Sequence, residues 1–134
     1  ALISEGKPEL LYIGDAVDRD LWQKDDRLKE LGIYVLSESG NLPDIIAYDS
    51  VNKRILFIEA FHSTGPFTID RVNTIRNLCK CDPGTEAAFV TAFDTTSKML
   101  KNYKNVAWET DIWTAEEPTH LLHKNGDKFM GHLL

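Results

Sequence analysis

Two carboxylic acids, Asp44 and Glu59, are the residues whose type and spacing best suit catalysis in this sequence. They frame the stretch PDIIAYDS, VNK, RILFIEA, in which two apolar runs flank a polar turn. This pattern predicts an antiparallel hairpin from about Asp44 to Ala60. With the turn centred between Val51 and Asn52, Asp44 falls opposite Glu59 within one step of register. The hairpin therefore brings the two carboxylates together.

Two carboxylates held this close repel each other unless a proton or a cation lies between them. Mg²⁺ takes oxygen ligands and usually keeps several waters that a phosphate can replace. We therefore expect Asp44 and Glu59 to bind Mg²⁺, with the backbone carbonyl of Ala60 as a third ligand. From the spacing alone, the alternative is that both are strand-end carboxylates that face water.

Three further side chains are candidates for contact with a phosphate or with the attacking water. His62 and Ser63 belong to the segment HSTGP, which follows the hairpin and predicts a loop. They contact phosphate or water in one interpretation and cap the loop in the other. Arg71 falls in the first turn of the next predicted helix, and its guanidinium fork suits a phosphate. The alternative for Arg71 is a salt bridge to Asp70 or Glu59.

The elements that position these residues follow from the spacing of apolar residues. The predicted helices cover residues 18–31, 68–79 and 95–103, and the strands outside the hairpin cover 33–36, 87–92 and 106–113. Gly32 suits a helix C-cap and Thr68 an N-cap, while Asn125-Gly126 between LLHK and KFMG predicts an extra C-terminal β-hairpin. From residue 18 to 92 the order is αβββαβ. This order predicts an α/β fold with a mixed sheet, because the hairpin is antiparallel and a strand reached through a helical crossover is parallel.

Composition limits the class of protein. A chain of 134 residues with 43% hydrophobic and 27% charged residues fits a single globular domain over residues 1–134, and its apolar runs are too short for a membrane span. Cys79 and Cys81 are too close for an unstrained disulfide, so we expect reduced thiols in a cytoplasmic protein. The net charge of −6 argues against a module that simply coats nucleic acid. An enzyme whose carboxylates hold a metal remains compatible with that charge.

Several motifs, in order along the chain, resemble a family of nucleases. Pro43-Asp44, fourteen intervening residues, and Glu59 after ILFI resemble the PD-(D/E)XK nuclease core, which has the same αβββαβ order. The segments LPDIIAYD, RILFIEAFHSTGP with Arg71, FVTAF, AWETDIWTAEEPTH and NGDKF are similar to the C-terminal domain of the BsuBI/PstI type II restriction endonucleases. The similarity runs from LYIGDA at residues 11–16 to Phe129, which is most of the chain.

The resemblance implies a catalytic domain that hydrolyses double-stranded DNA with Mg²⁺ at a specific palindromic site, as a homodimer. The resemblance supports Asp44 and Glu59 as the catalytic and metal-binding pair. With the contacts considered above, the predicted catalytic residues are Asp44, Glu59, His62, Ser63 and Arg71, and the predicted metal ligands are Asp44, Glu59 and Ala60. The resemblance also implies that a helical N-terminal DNA-binding domain lies outside this chain. The chain would then be a C-terminal fragment of a longer protein.

Two positions depart from the pattern. Nucleases of the wider fold usually have a lysine two residues after the glutamate, where this sequence has Phe61, and Asp70 stands where the family has a lysine before Arg71. We expect Phe61 to pack against the helix that carries Ile69 and Val72. Asp70 and the net charge of −6 motivate an alternative function, a catalytically inactive DNA-binding or assembly domain of nuclease fold. A metal-dependent enzyme acting on a small phosphorylated substrate would explain the carboxylate pair but none of the other motifs.

Overall fold

A mixed β-sheet holds the predicted hairpin at its centre. The computed structural model describes residues 8–14, 22–23, 25–35, 42–80 and 84–126. The strands are β1 (Glu9–Ile13), β2 (Trp22–Gln23), β3 (Tyr34–Val35), β4 (Ile45–Asp49), β5 (Arg54–Ala60), β6 (Cys79–Lys80), β7 (Glu86–Phe93), β8 (Thr110–Thr114) and β9 (Leu122–Lys124). Within the described residues, seven of them form one sheet in the order β2-β1-β4-β5-β7-β8-β9, and β3 pairs with β6 in a separate two-stranded sheet.

Four short helices lie among the described residues and connect these strands. They are α1 (Asp25–Glu30), α2 (Phe61–Thr64), α3 (Ile69–Leu78) and α4 (Thr96–Asn102), and a 3₁₀ turn at Tyr103–Asn105 follows α4. In the part of the chain that the structure describes, no helix has the length and apolar character needed to cross a membrane.

The hairpin prediction is confirmed, because β4 and β5 pair antiparallel with Ile45 opposite Ile58. Asp49 fixes the turn between them. Its Oδ1 accepts hydrogen bonds from the backbone N–H of Val51 at 3.1 Å and of Asn52 at 3.3 Å. A side chain that bonds the backbone two residues ahead is a common way to hold a tight turn. The turn chemistry therefore sets the register that aligns the far ends of the two strands.

The predicted mixed sheet is also confirmed, since β5 pairs in parallel with β7, and β7 in parallel with β8. Ala60 near the end of β5 lies beside Ala92 near the end of β7. The carboxyl ends of these two strands therefore lie level at one edge of the sheet. We call this edge, made by the residues that follow Glu59 and Thr91, the active edge.

Helix α3 covers one face of the sheet through an aromatic core. Its Val72 and Ile75 are buried in one cluster with Phe57 and Phe89, whose ring centroids lie 5.2 Å apart. Phe67, directly before the helix, meets Phe89 edge-on at 5.3 Å. Such aromatic contacts contribute stability beyond the area that they bury. The position of α3 relative to β5 is thereby fixed.

The helix predicted over 18–31 is wrong in part. Trp22–Gln23 form β2 and pair with the end of β1, so this part of the predicted helix is a strand. Residues 15–21 and 24 lie outside the described residues. The helix itself is α1, and Gly32 ends it as predicted, with φ of 75° and its N–H donating to the carbonyl of Lys29 at 3.0 Å.

Two further expectations need correction. The segment HSTGP was expected to be a loop, but its first three residues belong to α2. Within α3, Ile69 in the first turn is 60% exposed, whereas Val72 and Ile75 are buried. The strand expected at 106–113 starts only at Thr110, after Glu109 adopts φ of 64°.

The C-terminal segment adds one strand to the sheet. β9, the first arm of the predicted hairpin, pairs antiparallel with β8. The second arm, KFMG, and also Cys81 lie outside the described residues. Lys124 at the end of β9 is 5% exposed, and burial lowers the pKa of its ammonium group. Its Nζ donates to the carbonyls of Tyr103 at 2.9 Å and Val106 at 2.7 Å, so this lysine joins β9 to the 3₁₀ turn.

Candidate active site

The two predicted carboxylates lie side by side at the open end of the hairpin. Asp44 directly precedes β4, and continuing the ladder from Ile45 opposite Ile58 places Asp44 opposite Glu59. The side chain of Asp44 also crosses to the partner strand, where its Oδ2 accepts a hydrogen bond from the Ala60 N–H at 2.8 Å. The register prediction is confirmed to the residue.

Both carboxylates are buried, with Asp44 3% and Glu59 0% exposed. The alternative in which they face water is therefore wrong. A buried ionised carboxylate is unfavourable unless hydrogen bonds and opposite charge compensate it. The pair thus needs cationic or N–H partners, and the structure places both kinds around it.

Arg71 is the cationic partner of Glu59. Its Nε and Nη2 both donate to Glu59 Oε1, at 2.8 and 2.7 Å, and Nη2 also donates to the Leu42 carbonyl at 3.1 Å. Of the two salt bridges considered from the sequence, the one to Glu59 is formed, while Asp70 is exposed. A contact between Arg71 and a phosphate stays a prediction.

The start of α3 sets the position of Arg71. Thr68 is the N-cap as predicted, because its Oγ1 accepts a hydrogen bond from the Arg71 N–H at 3.2 Å. The preceding Phe67 N–H donates to Thr91 Oγ1 at 2.9 Å, which ties the helix start to β7. Gly65 turns the chain toward the helix with a φ of 83°, a backbone conformation that residues other than glycine rarely adopt.

The end of β1 closes the site from the other side. The N–H of Gly14 donates to the main-chain carbonyl of Asp44 at 2.8 Å. A Cβ at Gly14 would lie 3.3 Å from the Tyr12 hydroxyl and 3.4 Å from that same carbonyl. Glycine therefore allows β1 to approach the residue that carries the first carboxylate.

Phe61 packs into an apolar cluster and leaves no cation at its position. Its ring stacks on Phe93 at 4.9 Å and contacts the cluster of Met99, Val106 and Ile112. The expectation that it packs against the helix of Ile69 and Val72 is wrong. Its neighbours belong to α4, β8 and their connection, because the chain turns into α2 directly after β5.

His62 and Ser63 lie in α2 at the active edge. His62 is exposed, and its Nε2 lies 2.8 Å from Asp94 Oδ2 and 3.0 Å from Lys98 Nζ. The backbone of Ser63 is part of α2. The roles assigned to both residues stay predictions.

Asp94 and Lys98 are polar residues of this edge, and the sequence analysis did not single out Asp94. Lys98 recurs with Lys101 and Lys104 every three residues, a spacing that predicts either a solvated helix face or a strip that follows the DNA backbone. Asp94 directly follows β7, and residues that follow parallel strands meet at the same edge of a sheet, so the predicted topology contained the signal. Hydrogen bonds from His62 and from Lys98 lower the pKa of Asp94 to about 2, so its carboxylate is ionised at neutral pH.

The donor set of the carboxylate pair suits a hard divalent cation. Asp44 and Glu59 offer carboxylate oxygens from adjacent strand ends, and Mg²⁺ is often bound by one or two carboxylates with waters and phosphate completing the shell. Among the described residues, no group of three or more His, Cys, Asp or Glu side chains could hold a metal. Two carboxylates at adjacent strand ends match the part of a Mg²⁺ shell that a protein usually supplies, with water and phosphate as the remaining ligands.

The sheet order and the buried carboxylates at its central hairpin define an α/β restriction-endonuclease fold. The solved structure of SdaI restriction endonuclease matches with a TM-score of 0.74 and 34% sequence identity, over 91% of this chain and 38% of that one. The family model of the BsuBI/PstI restriction endonuclease domain matches residues 4–127. The chain therefore belongs to the BsuBI/PstI restriction endonuclease family.

Two curated relatives agree with this membership. Type II restriction enzyme BsuBI of Bacillus subtilis is 34% identical over 98% of this chain, and type II restriction enzyme AplI of Arthrospira platensis is 29% identical over 92% of it. The chain spans 43% and 40% of the lengths of these two relatives.

Proposed function

We propose that this chain is the catalytic domain of a type II restriction endonuclease, which hydrolyses phosphodiesters of duplex DNA at a specific palindromic site with Mg²⁺. The observation that carries the proposal is the buried pair of Asp44 and Glu59 at adjacent strand ends, in a chain that belongs to this family. Two relatives bear the name type II restriction enzyme, which supports hydrolysis of DNA as the reaction.

Asp44 and Glu59 would hold the Mg²⁺ ion, with the carbonyl of Ala60 as the third ligand. When bound, the ion supplies charge that polarises the scissile phosphate, favours ionisation of the attacking water and stabilises the leaving 3′ oxygen. The Ala60 N–H orients Asp44 through the 2.8 Å hydrogen bond to Oδ2. Arg71 orients Glu59 and offsets its charge through two short contacts.

The remaining predicted residues would bind substrate at the active edge. Arg71 lies beside the carboxylates and its side chain is 22% exposed, so we propose that it also contacts a phosphate. His62 is exposed at the start of α2, three residues after Glu59, where it can contact a phosphate or the attacking water. Ser63, the next residue in the chain, is proposed for the same role.

The proposed assembly follows from the substrate. A palindromic DNA site has two-fold symmetry, and a homodimer presents one active site to each strand. We propose that residues 1–134 form one domain. We also propose that the relatives gain further DNA affinity from the part of their chains that lies outside the matched region. We further propose that the protein acts in the cytoplasm, because the duplex DNA that such an enzyme would cut is found there.

A catalytically inactive DNA-binding or assembly domain is the second candidate. Two observations favour it: Phe61 is packed against Phe93 instead of presenting a cation, and Asp70 puts a negative charge next to Arg71. The buried carboxylate pair favours the active enzyme, because an inactive domain has no use for two adjacent buried carboxylates.

One experiment separates the candidates. The intact protein is incubated with mixed-sequence duplex DNA in Mg²⁺, and its DNA binding is measured separately in Ca²⁺. The endonuclease gives discrete fragments in Mg²⁺ and a complex in Ca²⁺. A complex without fragments under both conditions identifies the inactive domain, and neither complex nor fragments refutes both DNA functions.

A further inference from the structure

Three side chains form a compact polar cluster at the active edge, beside the carboxylate pair. His62 Nε2 and Asp94 Oδ2 are 2.8 Å apart, and Lys98 Nζ lies 3.0 Å from each of these two atoms. The three residues come from α2, from the end of β7 and from α4. We call His62, Asp94 and Lys98 the edge cluster.

The topology fixes the edge cluster next to the proposed site. Ala60 at the end of β5 pairs with Ala92 of β7. The residues that follow them, Phe61 and Phe93, stack with their ring centroids 4.9 Å apart. His62 follows Phe61 and Asp94 follows Phe93, so these two residues meet just beyond the aromatic pair. Lys98 then reaches them from one turn along α4, whose N-cap Thr95 accepts a hydrogen bond from the Lys98 N–H.

The proposed substrate needs cations at this edge. The chain carries a net charge of −6, and two buried carboxylates lie at the site itself, so a DNA phosphate approaches against repulsion. Arg71 already donates to Glu59 and to the Leu42 carbonyl. Lys98 has an ammonium group on a side chain that is 41% exposed, and this group lies 3.0 Å from His62, three residues after Glu59 in the chain.

We propose that Lys98 contacts a DNA phosphate next to the scissile one, and that Asp94 and His62 position it for this contact. The inference rests on the function proposed above and adds to it a specific cation and the two residues that orient it. An ammonium group has three donors, so Lys98 can keep its bond to Asp94 and still donate to a phosphate oxygen.

Asp94 has a use in this arrangement although its charge opposes DNA. A long lysine side chain loses considerable conformational freedom when it is fixed, and that loss weakens binding. The 3.0 Å bond to Asp94 fixes Lys98 before DNA arrives, and His62 orients Asp94 through its own contact with the same carboxylate oxygen. The competing explanation is a surface ion pair of small energetic value, which is common on proteins.

The test compares charge-matched variants of the intact protein. Lys98→Gln and Lys101→Gln each remove one positive charge from the same short helix, but Lys101 lies outside the edge cluster. DNA affinity is measured by fluorescence anisotropy in Ca²⁺ over a series of salt concentrations, and thermal unfolding checks the fold. Lys98→Arg keeps the charge, and Asp94→Asn removes the residue proposed to position it.

We expect Lys98→Gln to weaken DNA binding about tenfold, the loss of one hydrogen bond to a charged group, and to reduce the salt dependence by about one phosphate contact. Lys98→Arg should restore most of the affinity, and Lys101→Gln should stay close to the parent. Asp94→Asn should weaken binding although it removes a negative charge.

Equal effects of Lys98→Gln and Lys101→Gln would overturn the inference, as would tighter binding by Asp94→Asn. Both results require a parent protein that binds DNA. A parent that neither binds nor cuts DNA would refute the proposed function itself, so the two failures are distinguishable.

Discussion

Replacing Arg71 with glutamine tests whether this arginine balances the buried carboxylates. The variant loses two short contacts to Glu59 Oε1 and one to the Leu42 carbonyl, while Glu59 stays 0% exposed beside Asp44. Removing one partner of a buried ion pair typically destabilises a protein by about 3–5 kcal/mol. The side chain of Arg71 is 22% exposed, so water screens it in part and we expect about 3 kcal/mol.

Thermal unfolding of the intact protein measures this loss. For a domain of this size, about 3 kcal/mol corresponds to a fall in Tm of about 10 °C. Arg76→Gln is the matched control, because Arg76 lies on the same helix with its guanidinium over the Phe89 ring at 4.8 Å. An exposed cation–π contact contributes about 0.5–1 kcal/mol, so the control should lose only a few degrees.

The same variant predicts a response to metal. Ca²⁺ bound by Asp44 and Glu59 would replace the missing positive charge, so Ca²⁺ should raise the Tm of Arg71→Gln by more than it raises that of the parent. A fall in Tm no larger than that of Arg76→Gln would refute the charge-balance argument. An equal Ca²⁺ response in variant and parent would show that Arg71 and the cation do not act on the same carboxylates.

Three further predictions concern residues around the site. Phe61→Lys should lower stability and should not raise the cleavage rate, because it places an ammonium group in an apolar cluster; a folded variant with faster cleavage would contradict this. Lys124→Met should destabilise the protein by about 1–3 kcal/mol in denaturant unfolding, because it leaves two backbone carbonyls without their donor; a loss below about 0.5 kcal/mol would contradict it. NMR titration should show that the carboxyl group of Asp94 ionises near pH 2. The stability that its contacts with His62 and Lys98 contribute is present above about pH 3.9, the pKa of an Asp in the unfolded chain, and is lost as the pH falls through 2. An Asp94 pKa near 3.9 in the folded protein would contradict this prediction.

The central hairpin could be predicted from the sequence because its local chemistry is consistent. Two apolar runs and the turn at Asp49 define the register, and that register alone brings Asp44 to Glu59. The parallel crossover to β7 and the N-cap at Thr68 follow in the same way from local patterns. These elements position most of the candidate site.

The features that sequence reasoning missed depend on contacts between distant segments. Trp22 lies in a strand because β1 is available to pair with it, which apolar spacing cannot reveal. Burial of Glu59 depends on Arg71 arriving from α3, and spacing alone left that carboxylate facing water as an alternative. The edge cluster joins His62 to Asp94 across 32 residues of sequence, and it becomes visible only when the ends of β5 and β7 are placed side by side.

The central claim is that Asp44 and Glu59 together hold the cation required for DNA cleavage. Single-turnover cleavage of duplex DNA in Mg²⁺ by the intact protein tests it most directly, with Asp44→Asn, Glu59→Gln and the control Asp70→Asn compared with the parent. The amide of Asp44→Asn can still accept the hydrogen bond from the Ala60 N–H, so its fold should be retained. A bound cation supplies several kcal/mol of transition-state stabilisation, so Asp44→Asn and Glu59→Gln should each lower the cleavage rate at least about 10³-fold. Asp70 is exposed, and Asp70→Asn should cleave at a rate close to that of the parent. The claim would be contradicted by a folded Asp44→Asn or Glu59→Gln variant that cuts DNA within about tenfold of the parent rate. Such a result means a change of less than about 1.4 kcal/mol in activation free energy.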